Sequence, residues 1–132
     1  MTGRTLAQYT IREKIGAGGM GVVYRAQDAK LRRTVALKLV REDAGFDATA
    51  RARLLREACT ASALNHPNIC TIYEATETDG ETFIAMEFVE GRSLADLIGS
   101  AGLPVETLIR YAIQLADALA HEIGRASCRE RV

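Results

Sequence analysis

The stretch Ile15-Gly16-Ala17-Gly18-Gly19-Met20-Gly21-Val22-Val23-Tyr24, followed by Val35-Ala36-Leu37-Lys38, decides how this chain folds. Gly16, Gly18 and Gly21 form a Gly-x-Gly-x-x-Gly run. Glycines let the backbone adopt positive φ and come close to a ligand, so their amide N–H groups can surround phosphate oxygens with no Cβ in the way. The residues after the run separate two kinds of phosphate binder. In a dinucleotide-binding βαβ unit the third glycine opens a helix, whereas Val22-Val23-Tyr24 favours a strand. The loop is therefore expected to join two strands of a hairpin, as a lid over its ligand. A dinucleotide-binding dehydrogenase is disfavoured by that strand and by the missing βαβ pattern.

Outward from the loop, Tyr9 to Ile15 alternates loosely and Val22 to Gln27 follows the glycines, which predicts a two-stranded hairpin. Asp28 to Arg33 reads as a polar turn and Thr34 to Val40 as a third strand. In that strand Val35, Leu37 and Leu39 fall on one face, and Ala36, Lys38 and Val40 on the other. Asp47 is a plausible N-cap for a helix running to Leu64, with Leu54, Ala58 and Ala61 on one stripe. Glu57 lies one turn from Leu54 and one turn from Ala61, which predicts that it projects from the sheet-facing side. His66-Pro67-Asn68 breaks the helix, and His66 reads as a cap or turn-fixing residue rather than a catalytic base. Ile69 to Ala75 and Thr82 to Met86 read as a fourth and a fifth strand around an Asp79-Gly80 turn.

This ordered set resembles the bacterial, eukaryotic-like (Hanks-type) Ser/Thr protein kinases. The resemblance rests on Ile15 to Val23, Lys38, a helix bearing Glu57, His66-Pro67-Asn68-Ile69 and Met86-Glu87-Phe88-Val89-Glu90-Gly91, and it covers roughly Tyr9 to His121. The fold it implies is α+β: a kinase N-lobe of five antiparallel strands and one main helix over 9–86, a hinge over 87–92, and the first helices of an incomplete C-lobe over 93–121. The ligand implied is ATP, held by Ile15, Gly16, Ala17, Gly18, Gly19, Met20, Gly21, Val23, Ala36, Lys38, Met86, Glu87, Val89 and Ser93. Lys38 would contact the α- and β-phosphates, with Glu57 as its partner, because a buried lysine is costly unless paired. Ala36 would pack on the adenine ring and Met86 would stand behind the base as gatekeeper. Glu87 would offer its carbonyl to the adenine amino group and Val89 its N–H to a ring nitrogen. Ser93 falls where relatives place a polar residue near the ribose, and equally suits the N-cap of Leu94 to Ile98.

Composition narrows the alternatives. Lys plus Arg and Asp plus Glu each number 17 in 132 residues, so no net field favours nucleic acid or an anionic membrane. Met1 to Thr10 has no apolar leader segment and no run reaches a membrane-spanning length, which reads as cytoplasmic for this chain, with membrane anchoring of a parent through a segment beyond it as the alternative. Cys59, Cys70 and Cys128 have no short repeated spacing and suggest neither a disulfide framework nor a zinc site. No metal ligands are assigned; the resemblance implies Mg2+ beside ATP in the full-length parent, held by residues that this chain does not match.

Pro104 suits the first turn of a last helix running to His121, with Leu108, Tyr111, Leu115 and Leu119 on one stripe and Ile109, Ile113, Ala116 and Ala120 on another. So wide an apolar surface belongs in a large helical lobe and would be exposed here. Residues 122–132, Glu-Ile-Gly-Arg-Ala-Ser-Cys-Arg-Glu-Arg-Val, break that pattern and look like a translated sequencing adapter. The His-Arg-Asp loop and the Asp-Phe-Gly motif that the resemblance calls for do not occur in the sequence. The functional expectation is thus the ATP-binding part of a Ser/Thr protein kinase, inactive alone, whose parent would phosphorylate a protein substrate. A pseudokinase or regulatory nucleotide-binding module is the alternative.

Overall fold

The computed structural model describes residues 2–18, 21–40 and 48–130, the last seven of these as backbone only. The described elements run β1 Thr5–Leu6, β2 Tyr9–Gly18, β3 Gly21–Asp28, β4 Arg33–Val40, α1 Ala48–Ala61, β5 Ile72–Thr78, β6 Glu81–Glu87, α2 Leu94–Ile98 and α3 Val105–Glu130. The strands form one sheet in the order β1-β2-β3-β4-β6-β5, with every neighbouring pair antiparallel. This is the α+β architecture expected, with one strand more than the five read from the sequence. The addition is β1, in which Thr5 pairs Thr10 and Leu6 pairs Tyr9. Two residues cannot show a period, so only the burial of Leu6, fully inside the core, reveals why the chain turns back there.

The chain divides into two compact units, one of residues 1–63 and 70–89, the other of 64–69 and 90–132. In the first, β4 is central, laddered to β3 on one side and β6 on the other. Its Val35 and Leu37 join Leu6, Tyr9, Ile11, Ala26, Phe83 and Ala85 in the core, with Tyr24, Leu39 and Tyr73 packed around them. The Tyr9 ring meets Phe83 edge-on at 5.7 Å, the arrangement that aromatic quadrupoles favour. Its hydroxyl donates to Glu74 Oε2 at 2.6 Å, tying β2 to the edge strand β5. Burial first, then the hydrogen bond to the Glu74 carboxylate and its charge, push the Tyr9 pKa above the ordinary tyrosine value.

Two turns follow from their residues. Asp79 and Gly80 both have positive φ, 54° and 77°, as a two-residue hairpin turn between Thr78 and Glu81 requires. At the β3–β4 connection the buried Asp28 carboxylate accepts the N–H groups of Lys30 and Leu31 at 2.9 and 3.1 Å. The helix α1 ends at Ala61 rather than at Leu64, because the chain tightens over Ser62 and Ala63 into a turn. Asp47, its expected N-cap, lies outside the described residues.

In the second unit, Asn68 N–H donates to His66 Nδ1 at 3.0 Å, which leaves Nε2 as the protonated nitrogen donating to Asp117 Oδ2 at 3.0 Å. Asn68 Nδ2 donates to the Gln114 carbonyl at 3.2 Å. His66 is thus the turn-fixing residue expected. On α3, Leu108, Ile109, Ile113, Leu115 and Leu119 are each more than half exposed. That helix does not stop at His121 but runs through Glu130, since Glu122 to Glu130 lacks proline and contains enough helix formers to continue it. Among the described residues no helix is long and apolar enough to cross a membrane.

Replacing Tyr9 by Phe is expected to lower stability by about 1.5 kcal/mol near neutral pH, the low end for a hydrogen bond to a charged group because Glu74 is only half-buried. A phenol whose folded pKa is raised contributes fully below about pH 10, its unfolded value, and loses that contribution as pH climbs toward the folded value. Urea midpoints of the two proteins should therefore converge above pH 10.

Candidate functional site

Ala17 pairs with Val22 and Gly18 with Gly21, so β2 and β3 form a hairpin whose two tip residues, Gly19 and Met20, lie outside the described residues. The strand that begins at Gly21 is antiparallel to its predecessor, which excludes a βαβ phosphate site. The register slips between Lys14 and Gly16, leaving Ile15 as a bulge residue, nearly half exposed. A bulge there increases the local twist of the hairpin.

The glycines have separate physical reasons. At Gly21 a Cβ would lie 1.9 Å from the Leu39 carbonyl oxygen and 3.2 Å from the Val40 Cα, so the close approach of β3 to β4 demands glycine. At Gly16 a Cβ would meet nothing within 4 Å, and its φ is not positive. Neither crowding by the protein nor backbone conformation calls for glycine at position 16.

Strand register gathers the other expected residues. Lys38 pairs Val23 on β3 and Ile84 on β6, while Ala36 pairs Arg25 and Met86. Paired residues of an antiparallel ladder share a face. Val23, Ala36, Lys38 and Met86 therefore lie on one side of the sheet, opposite Val35 and Leu37 in the core. Ala36 is buried, and Val23, Lys38 and Met86 are half-buried.

Glu57 does not join them. Its carboxylate accepts Arg53 Nε at 3.1 Å, and its side chain is 65% exposed. The expected ion pair with Lys38 is absent from this structure. The buried stripe of α1 is centred on Ala58, with Leu54 and Ala61 half-buried beside it, as the spacing suggested. Glu57 stands about 100° around the helix from Ala58 and turns outward. The helix leans on β5, where Arg51 meets Glu77 at 3.4 Å.

After β6, Glu87 is fastened to the segment before β5. Its N–H donates to the Thr71 carbonyl at 2.8 Å, and its Oε1 accepts the Thr71 N–H at 3.2 Å. Its carbonyl accepts the Cys70 thiol at 3.4 Å. Burial, then the Glu87 charge, push the Cys70 pKa up, against the opposing pull of that hydrogen bond. Nothing in the residue pattern marks Cys70 or Thr71 for this task, because the contacts are made mostly through backbone. Val89 is 65% exposed. In the second unit the Ser93 hydroxyl accepts the Asp96 N–H at 3.2 Å, making Ser93 the N-cap of α2. Among the described residues no group of three or more His, Cys, Asp or Glu side chains is gathered.

Residues 9–122 match the family model described as the protein kinase domain. Over 124 residues the chain is 37% identical to the serine/threonine-protein kinase PknJ of Mycobacterium tuberculosis, covering 92% of this chain and 21% of that protein. It is 41% identical over 119 residues to the serine/threonine-protein kinase PrkC of Bacillus subtilis, covering 89% of this chain and 18% of the relative. The chain thus spans about a fifth of the length of these relatives. Among solved structures, the Mycobacterium tuberculosis PknI kinase domain superposes with a TM-score of 0.85 at 32% identity, over 96% of this chain and 52% of that one.

Gly21→Ala is expected to destabilise the protein by about 2–3 kcal/mol, the combined scale of overpacking and backbone strain. The measurement is the thermal unfolding midpoint, and an unchanged value would remove the close approach of β3 to β4 as the reason for this glycine.

Proposed function

The chain belongs to the protein kinase family, and from that premise we propose that residues 9–89 carry an ATP clamp: a glycine lid, a phosphate-binding lysine and an adenine-facing sheet. The observation that carries this reading is Gly16. Its side-chain position is open space, and no φ requires glycine, so the surviving reason for glycine is a ligand that comes up to the backbone there. The residues present fit the group. Amides of the β2–β3 hairpin would hold phosphate oxygens, and the Lys38 ammonium, on the same sheet face as Val23, would neutralise them. Val23 and Ala36 would cover the base, with Met86 beside it and Glu87 and Val89 presenting backbone groups. The Glu87 carbonyl keeps a second lone pair beyond the Cys70 thiol.

Within this reading Glu57 must leave Arg53 and reach Lys38, which requires α1 to turn its outward face toward β4. ATP, when bound, would supply the phosphoryl group for transfer to a protein Ser or Thr in the whole protein, with Mg2+ held by residues outside this chain's matched motifs. The sequence contains neither His-Arg-Asp nor Asp-Phe-Gly, so this chain alone binds and does not transfer. The segment 87–92 is the hinge, and residues 93–121 begin a helical lobe. The location proposed for the chain is cytoplasmic.

Gly16→Ala should leave stability within about 0.5 kcal/mol while weakening ATP binding. Lys38→Ala should weaken it roughly tenfold or more, the scale of a lost charge-assisted contact. Equilibrium titration with ATP checks both, and undiminished binding by both variants would overturn the clamp. Incubation of the purified chain with radiolabelled ATP and a peptide substrate should give no Lys38-dependent phosphorylation.

A further inference from the structure

We propose that Arg53 is a positioning residue: it holds Glu57 on the surface of α1 and so sets how often that carboxylate is free to reach Lys38. The inference rests on the ATP-clamp reading above and adds to it a rival for the carboxylate. Two cations claim one anion. Arg53 stands one turn before Glu57 on the same helix, and its Nε already donates to Glu57 Oε1 at 3.1 Å. Lys38 sits on β4, whose neighbours in the sheet are β3 and β6, whereas α1 leans on β5. The local pair forms without moving the helix. The distant one requires α1 to turn.

The strength of the local pair suits a reversible hold. Both side chains are mostly exposed, 78% and 65%, so water and salt screen the attraction. A one-turn ion pair favours the acidic residue on the N-terminal side, and here the order is reversed, with Arg53 before Glu57. The hold is therefore weak. It biases the carboxylate without trapping it, and a phosphate-bound Lys38 can win it back. Arg51, one turn N-terminal to Leu55 on the half-buried side, is engaged with Glu77 and stabilises the docking of α1 on β5, so it does not substitute for Arg53.

The test is an equilibrium titration of the full 132-residue chain with ATP at low ionic strength. Arg53→Met keeps the apolar stem and the helix propensity, and is expected to tighten ATP binding roughly twofold, the scale of a one-turn ion pair. Arg53→Lys keeps a cation and should bind as the parent does. In a Glu57→Gln background, Arg53→Met should change nothing, because no carboxylate remains to release. Parental affinity for Arg53→Met, or the same gain in the Glu57→Gln background, overturns the inference while leaving the clamp intact. If instead Lys38→Ala and Glu57→Gln both bind ATP like the parent, or the parent binds none, the clamp reading itself falls.

Discussion

The parity of β4 is the constraint on which the rest of the first unit depends. It lies at the middle of the sheet, paired on both sides, and its side chains must alternate. Val35 and Leu37 fill the core, which leaves Ala36 and Lys38 on the opposite face whether or not a ligand is present. A one-residue slip would put an ammonium group into a cluster of aromatic and aliphatic side chains, at a desolvation cost no hairpin could offset. The hydrophobic demand of one face thus fixes the chemistry of the other. Gly21 belongs to the same constraint, since the ladder that sets this register brings the Leu39 carbonyl where a Cβ would have to be.

Much of this was legible in the residues alone, and the reasons are local. The Asp79-Gly80 turn, the Ser93 cap and the alternation of β4 each depend on residues within a few positions of one another. The glycine-containing hairpin was readable because the strand-forming residues after Gly21 exclude a helix. What escaped has a different character. The strand β1 is too short to carry a period, and its reason is the burial of Leu6 against distant residues. The Tyr9–Glu74 bond spans 65 positions and has no signature in either neighbourhood. Past His121 the apolar pattern ends but the helix does not, because an end of pattern marks the end of an apolar face rather than of helix.

Glu57 shows the limit most clearly. Spacing from Leu54 and Ala61 placed it near the inward stripe, yet 100° of helix separates a residue beside the stripe from one within it. A helix also offers its own side chains as partners, and a charge one turn away is met at little entropic cost. Family resemblance points to a partner across the sheet, whereas the structure shows the partner along the helix. Both claims fall on the same carboxylate, and the structure gives it to the residue one turn away.

The clasp formed by His66 and Asn68 carries a consequence for how the molecule is made. Residues 64–69 lie within the sequence of the first unit but belong to the second, with hydrogen bonds from His66 to Asp117 and from Asn68 to Gln114. The sheet strands therefore emerge during synthesis with a short loop between α1 and β5 whose anchors are still tens of residues from being translated. Until α3 appears, that loop has its internal bonds to His66, from the Asn68 and Ile69 N–H groups, to shape it. Neither unit is a contiguous stretch of polypeptide, and a break anywhere between Glu90 and Gln114 would deprive the loop of both its anchors.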